Sequence, residues 1–187
     1  MPYGRTQLLA LVLALGAAAC APGGDLPPLR SAANSGYRLG PGDEVRIITV
    51  GDEALTGEFR VGDSGRIALP MLGGVPAAGL RPAALETAVA HALVRAGLER
   101  DPSVSVEVTA YRPIFVLGEV NKPGQFAYQP GMTVLAAVAL AGGFTYRAID
   151  DYAGVVRTYD AGAAEGRAAP QTALEPGDVV TVFERRF

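Results

Sequence analysis

Few side chains in this sequence could do chemistry, and their spacing points away from catalysis. His91 is the only histidine, with no cysteine placed to make a nucleophile pair or a metal site. On a helix it lies about 140° from the centre of the apolar face at 100° per residue, which makes it a solvated surface residue. Adjacent acids occur at Asp43-Glu44 and Asp150-Asp151, and a pair of carboxylates is what glycoside hydrolysis requires. Both pairs fall in or beside turns, where neighbouring acids are usually solvated and bond the local backbone. Gly73-Gly74 and Gly142-Gly143 lack a following Lys-Ser/Thr and a G-x-G-x-x-G frame, so neither reads as a phosphate cradle. No catalytic, cofactor-binding or metal-ligating residue is assigned.

The remaining reactive group is Cys20, the single cysteine of the chain. It cannot close an intramolecular disulfide. It follows Arg5, the apolar run of residues 8–15 (LLALVLAL) and Gly16-Ala17-Ala18-Ala19, the layout of a secretory signal peptide over residues 1–19. The run is shorter than the roughly 20 residues that span a bilayer. Small residues before a cysteine at this place resemble the lipobox of bacterial lipoproteins, in which the thiol takes a diacylglyceryl group. Each buried acyl methylene then contributes about 0.8 kcal/mol of anchoring. Ala17 stands where lipoboxes usually carry Leu, and Ala17-Ala18-Ala19 also fits ordinary signal peptidase, so both cleavage modes stay open. The position of the cysteine favours lipidation, and Ala21-Pro22 after it, rather than an Asp, resembles an outer-membrane destination.

The elements around these residues read as short strands and turns. With 187 residues the chain is one domain or two small ones. It is 49% hydrophobic, and its 24 glycines and 14 prolines favour turns over a helical bundle. Sixteen basic against nineteen acidic residues give a net charge of −3, no field for a phosphate backbone, and nucleic acid is excluded as a partner. Residues 21–35 (APGGDLPPLRSAANS) have the composition of a flexible tether, placed at residues 20–36, with order beginning near Tyr37.

Beyond the tether, Pro41-Gly42 turns into a half-buried strand marked by Val45, Ile47 and Thr49. Residues 59–61 and 67–69 are strands joined by Gly62-Asp63-Ser64-Gly65, and Pro70 and Gly73-Gly74 end that run. Residues 81–97 form the best helix, with Pro82 in its first turn and Gly97 as its stop. Its core face holds Leu85, Ala88, Val89, Ala92, Leu93 and Ala96. Ala90 and Val94 lie opposite, and Leu98 continues their spacing, which makes this stripe a candidate subunit interface. Val104, Val106 and Val108 alternate with polar residues as a one-sided strand.

A second unit runs through a strand at 114–120, a turn at Asn121-Lys122-Pro123-Gly124 and a return strand at 126–128. Thr133 caps a helix over 134–141 that is apolar on every side, hence expected to be fully buried. A strand at 155–159, a loop of small residues at 161–170 and a closing strand at 179–183 complete it. One frame occurs twice, LGPGDEVRI at 39–47 and LEPGDVVTV at 174–182. In each, an Asp follows a Pro-Gly turn and can bond nearby amides; shared turn chemistry accounts for the likeness as well as a repeat does.

Taken in order, these segments resemble a known family. Residues 37–47 (YRLGPGDEVRI), 63–80 (DSGRIALPMLGGVPAAGL) and 101–108 (DPSVSVEV) are similar to the export domain of outer-membrane polysaccharide export proteins. Residues 115–148 (FVLGEVNKPGQFAYQPGMTVLAAVALAGGFTYRA) look like its soluble-ligand-binding β-grasp domain. The resemblance implies an α+β fold, with the export domain at 37–112 and one β-grasp domain at 113–187. It implies a lipid-anchored component, on the periplasmic side of the outer membrane, of a conduit for capsule or exopolysaccharide. The implied partners are the polymer, an inner-membrane polysaccharide co-polymerase, further copies of the chain in a homo-oligomeric ring and a separate outer-membrane β-barrel. The barrel is expected because larger members of the family carry a C-terminal pore helix of roughly 20 residues, and the sequence after the last strand has only Glu184-Arg185-Arg186-Phe187. A monomeric periplasmic glycan-binding lipoprotein is the alternative, and an envelope hydrolase built on the paired acids a third reading.

Overall fold

The computed structural model describes residues 21–30, 36–51, 53–159 and 162–186; residues 1–19, read above as a signal peptide, Cys20 and Phe187 lie outside them. The fold is α+β, as expected. In the first half, β1 (Glu44–Thr49) is the centre of a three-stranded antiparallel sheet, between β2 (Gly57–Arg60) and β5 (Val104–Ala110). Strand periodicity sends Val45, Ile47 and Thr49 to the inner face. A short hairpin of β3 (Arg66–Leu69) and β4 (Gly73–Pro76) adds Ile67, Leu69 and Val75 to the same core. Helix α1 (Pro82–Arg95) lays Leu85, Val89 and Leu93 on it, all fully buried.

Two expectations for this half change. The stretch at Gly73-Gly74 does not end the run but forms β4. The bend before it takes left-handed backbone at Met71 (φ 58) and Gly73 (φ 69), so β3 pairs with β4 and meets the preceding strand only at Val61–Ile67. Ala96 is exposed rather than part of the core face of α1, because the helix stops at Arg95. Gly97 (φ 70) reverses the chain there, and the Leu98 amide reaches back to the Leu93 carbonyl.

In the second half β6 (Ile114–Gly118), β7 (Gly124–Phe126), β8 (Ala153–Tyr159), β9 (Gly162–Ala168) and β10 (Val179–Val182) form one sheet in the order β7-β6-β10-β8-β9. The closing strand β10 enters between β6, to which it is parallel, and β8. Ile114, Val116, Val155, Val180 and Val182 face α2 (Val134–Leu140), which contributes Val134, Ala137 and Val138. Thr133 caps α2 through Oγ1, 3.2 Å from the Ala136 amide. At the end of β6, Gly118 (φ 84) lies against the Val182 carbonyl, where a Cβ would overlap it.

Three expectations fail in this half. Residues 162–168 are a strand, paired along their length with β8. A GAAEGRA stretch carries no strand propensity of its own; the ladder imposes it. Helix α2 is buried on one face only, and Leu135, Ala136, Ala139 and Leu140 are exposed although none is polar. A single chain offers one sheet to pack on, so the other side of an all-apolar helix stays bare. Finally, order does not wait for Tyr37. Residues 27–29 run along the outer edge of β9, with the Leu29 amide on the Arg167 carbonyl (2.8 Å) and the Arg167 amide on Pro27 (2.7 Å). Tyr152 donates to the Pro22 carbonyl, and Leu29 packs on the core. Gly166 permits the approach, since a Cβ there would come within 2.6 Å of the Leu29 backbone.

Candidate functional site

The two L-x-P-G-D turns meet where the halves join. In the first, Gly42 (φ 95) closes the turn, and the Asp43 carboxylate, wholly buried, accepts from the Gly40 amide at 2.7 Å. In the second, Gly177 (φ 89) does the same, and buried Asp178 accepts from the Glu175 amide at 2.8 Å. The frame therefore folds twice into one geometry, an aspartate bonded to the amide three residues before it. What satisfies the rest of each carboxylate differs. Asp43 takes the Tyr37 hydroxyl and the Arg112 amide (2.9 Å). Asp178 takes Arg157 in a two-pronged contact, Nε at 3.0 Å and Nη2 at 2.6 Å. Paired and hydrogen-bonded is the condition under which charges tolerate burial.

Arg112 joins the turns. Its Nη1 lies 3.7 Å from Asp43, its Nε donates to the Pro176 carbonyl at 3.2 Å, and its guanidinium stands 6.0 Å from the Tyr37 ring centre. Gly40 has no room for a side chain beside that guanidinium, and a Cβ on Gly177 would come within 3.2 Å of Arg112 Nε. Tyr37, Tyr111 and Tyr128 continue the junction edge to face at 4.9 and 5.6 Å.

A cleft of about 1210 Å³ opens over this junction. Its walls include the two turns, Tyr37, Tyr128, Arg157 and Tyr159, with Arg30 and Arg38 at its lip. The electrostatics inside are set by burial. Desolvation, and then the hydrogen bond to Asp43, raise the Tyr37 pKa far above that of a free phenol. Desolvation also raises Tyr128. Burial works to lower the pKa of Arg157, but the bonds and charge of Asp178, with Glu175, raise it on balance. Desolvation raises the Glu175 carboxyl against the pull of Arg157. Glu175 Oε1 sits 3.0 Å from Arg157 Nη1 without hydrogen-bond geometry and is shut off from solvent. Together these groups can orient a polar ligand. They hold no nucleophile next to a base.

The residues singled out in the sequence fall as follows. His91 is exposed on α1. The acid pairs do not converge: Asp43 points inward while Glu44 pairs with Arg60 on the surface, and Asp150 pairs with Arg185. Asp43 is thus buried rather than solvated, a correction due to the amides and hydroxyl gathered around it. Among the described residues no three His, Cys, Asp or Glu side chains come together as a metal site, and no helix is long and apolar enough to cross a membrane. On α1, Ala90 is half-buried, Val94 is 48% exposed, and Leu98, just past its end, is 40% exposed. Sequence reasoning missed Arg112 and Arg157, which carry no local pattern; the doubled frame was the one signal leading to their partners.

The structure divides into two α+β units, each with its own sheet and core. Residues 31–109 match the polysaccharide biosynthesis/export protein family, and residues 113–163 match the SLBB domain. The chain is 38% identical over 118 residues to the exopolysaccharide production protein ExoF of Rhizobium meliloti (strain 1021), which covers 57% of this chain and 28% of that protein. Together the two matches cover most of the chain and, with this relative, support the polysaccharide export protein family. It spans little more than a quarter of the relative it matches.

Proposed function

We propose that this protein is a non-enzymatic, lipid-anchored component of an exopolysaccharide or capsule export conduit, on the periplasmic side of the outer membrane. The observation that carries this reading is the tandem order of the two matches on one chain. They are joined by the short segment that supplies Arg112, the residue bonded to both L-x-P-G-D turns. The cleft contributes orientation and no bond-making chemistry. Its partners would be the polymer, an inner-membrane co-polymerase, a separate outer-membrane β-barrel and further copies of the chain in a ring. Ala90, Val94 and Leu98, an apolar stripe on and just beyond α1, are the proposed contact, and a charge placed there without a partner should cost several kcal/mol per interface.

Disruption of the gene in a polysaccharide-producing cell should abolish surface polymer, and the wild-type chain should restore it. Unchanged surface polymer after disruption would end the export reading. Cross-linking and native mass of the mature protein should show a closed oligomer that Val94→Arg dissociates; a wild-type monomer would favour the glycan-binding alternative. Cys20→Ser should move the protein from the membrane to the soluble periplasmic fraction, and an unmodified Cys20 in the mature protein would remove the anchor.

A further inference from the structure

The inner part of the cleft is already ion-paired. Arg112 pairs with Asp43, and Arg157 with Asp178 and Glu175. The lip is not. Among the described residues Arg38 makes one side-chain bond, from Nη1 to the Gly79 carbonyl at 2.7 Å, which leaves its remaining donors without a partner there. Arg30 lies across the cleft, its backbone carbonyl held by the Tyr159 hydroxyl at 3.2 Å. Beside Gly36 on the same rim, Arg81 Nε lies 3.7 Å from where a Gly36 Cβ would be. Among the described residues none of these three arginines pairs with a carboxylate. The cleft lining thus carries four arginines, two of them unpaired, against Glu175 and Asp178, in a chain whose net charge is −3.

We infer that the cleft takes an acidic stretch of glycan, with sugar carboxylates on Arg30 and Arg38. This deepens the export reading above and rests on it for the ligand being a glycan. The volume exceeds the roughly 300–1,000 Å³ of sites that hold one drug-sized molecule, so more than one sugar fits. The rings of Tyr37, Tyr128 and Tyr159 in its walls offer flat apolar surface to the carbon–hydrogen faces of the sugars. Guanidinium forks match carboxylates in two-pronged geometry, which a neutral sugar cannot use. A uniformly acidic wall would repel such a ligand, but the surplus carboxylate, Glu175, is held 3.0 Å from Arg157 Nη1.

The experiment is calorimetric titration of the mature protein with trigalacturonate and with maltotriose, at low and at raised salt. Trigalacturonate should bind at least tenfold more tightly than maltotriose, with affinity falling as salt rises. Arg38→Gln and Arg30→Gln should each weaken trigalacturonate by about tenfold, the effect of one lost charge-assisted contact. They should leave maltotriose and the circular dichroism spectrum unchanged. Arg95→Gln, an exposed arginine on α1, should change nothing. Equal affinity for the two sugars, no binding of either, or equal loss in Arg95→Gln would each overturn the inference. Failure here combined with loss of surface polymer on gene disruption removes the acidic cleft and keeps the export reading. Acid-selective binding without any effect of disruption does the reverse.

Discussion

Removing the Asp178 carboxylate should unbalance the second turn more than any single change on the surface. The side chains of Arg157 and Asp178 are 4% and 1% exposed, so the pair has almost no solvent screening. Asp178→Ala deletes three contacts to Arg157 and the acceptor for the Glu175 amide. It leaves the guanidinium with Glu175, which lacks hydrogen-bond geometry, and with the Ala173 carbonyl at 3.1 Å. Breaking a buried pair by removing one partner costs about 3–5 kcal/mol, and the residual attraction to Glu175 places this case near the lower end, about 3 kcal/mol. At about 2–4 °C per kcal/mol for a chain of this size, Tm should fall by about 6–12 °C. Arg157→Met with Asp178→Asn removes both charges and keeps an acceptor for the Glu175 amide, so it should lose less than the sum of the two single changes. Urea unfolding followed by circular dichroism suits a chain without tryptophan. A loss under about 1 kcal/mol for Asp178→Ala, or strict additivity in the double variant, would refute the argument that burial makes this pair indispensable.

Gly118→Ala places a methyl against the Val182 carbonyl at a left-handed φ and should cost about 2 kcal/mol or more in the same urea assay. Gly166→Val raises the strand propensity of β9 yet should lift residues 27–29 off its edge; faster trypsin cleavage after Arg30, with the rest of the chain intact, is the expected readout. Glu175 carries a carboxyl pKa raised above its ordinary 4.5, chiefly by desolvation. Its contribution to stability is therefore full below about pH 4.5 and lost as pH rises through the folded value. Wild type should gain stability relative to Glu175→Gln on going from pH 7 to pH 4.5, and a pH-independent difference between their Tm values would contradict the shift.

What the sequence disclosed and what it hid divide along a physical line. Val45, Ile47 and Thr49 alternate, and Leu85, Val89 and Leu93 recur at helical spacing, so β1 and α1 are visible locally. Thr133 announces the start of α2 in the same way. β9 was invisible because its conformation comes from β8 and from residues 27–29, not from its alanines and glycines. The docking of those residues was hidden for a related reason: Pro-rich composition describes a free chain, and Leu29 is the one apolar side chain there packed on the core. At the cleft, the doubled frame disclosed the two turns. Arg112 and Arg157 act through partners 69 and 21 residues away, and no local pattern encodes such pairings. The all-apolar α2 misled by an unstated premise, that one chain must bury everything apolar in it.

The two borders of the five-stranded sheet are both obstructed, by different devices. At one border β7 has only three residues and is preceded by Pro123, too short a template to recruit a further strand. At the other, residues 27–29 already occupy the amide and carbonyl of Arg167 in β9. A foreign strand therefore cannot pair along the whole of β9 without first displacing these residues. The surfaces left open to a neighbour are the broad ones. These are the bare side of α2, with Leu135 and Leu140, and the opposite side of the sheet, where Phe115 and Leu117 remain uncovered. A contact made through them would leave the hydrogen-bond ladder of the sheet complete, with no strand unpaired.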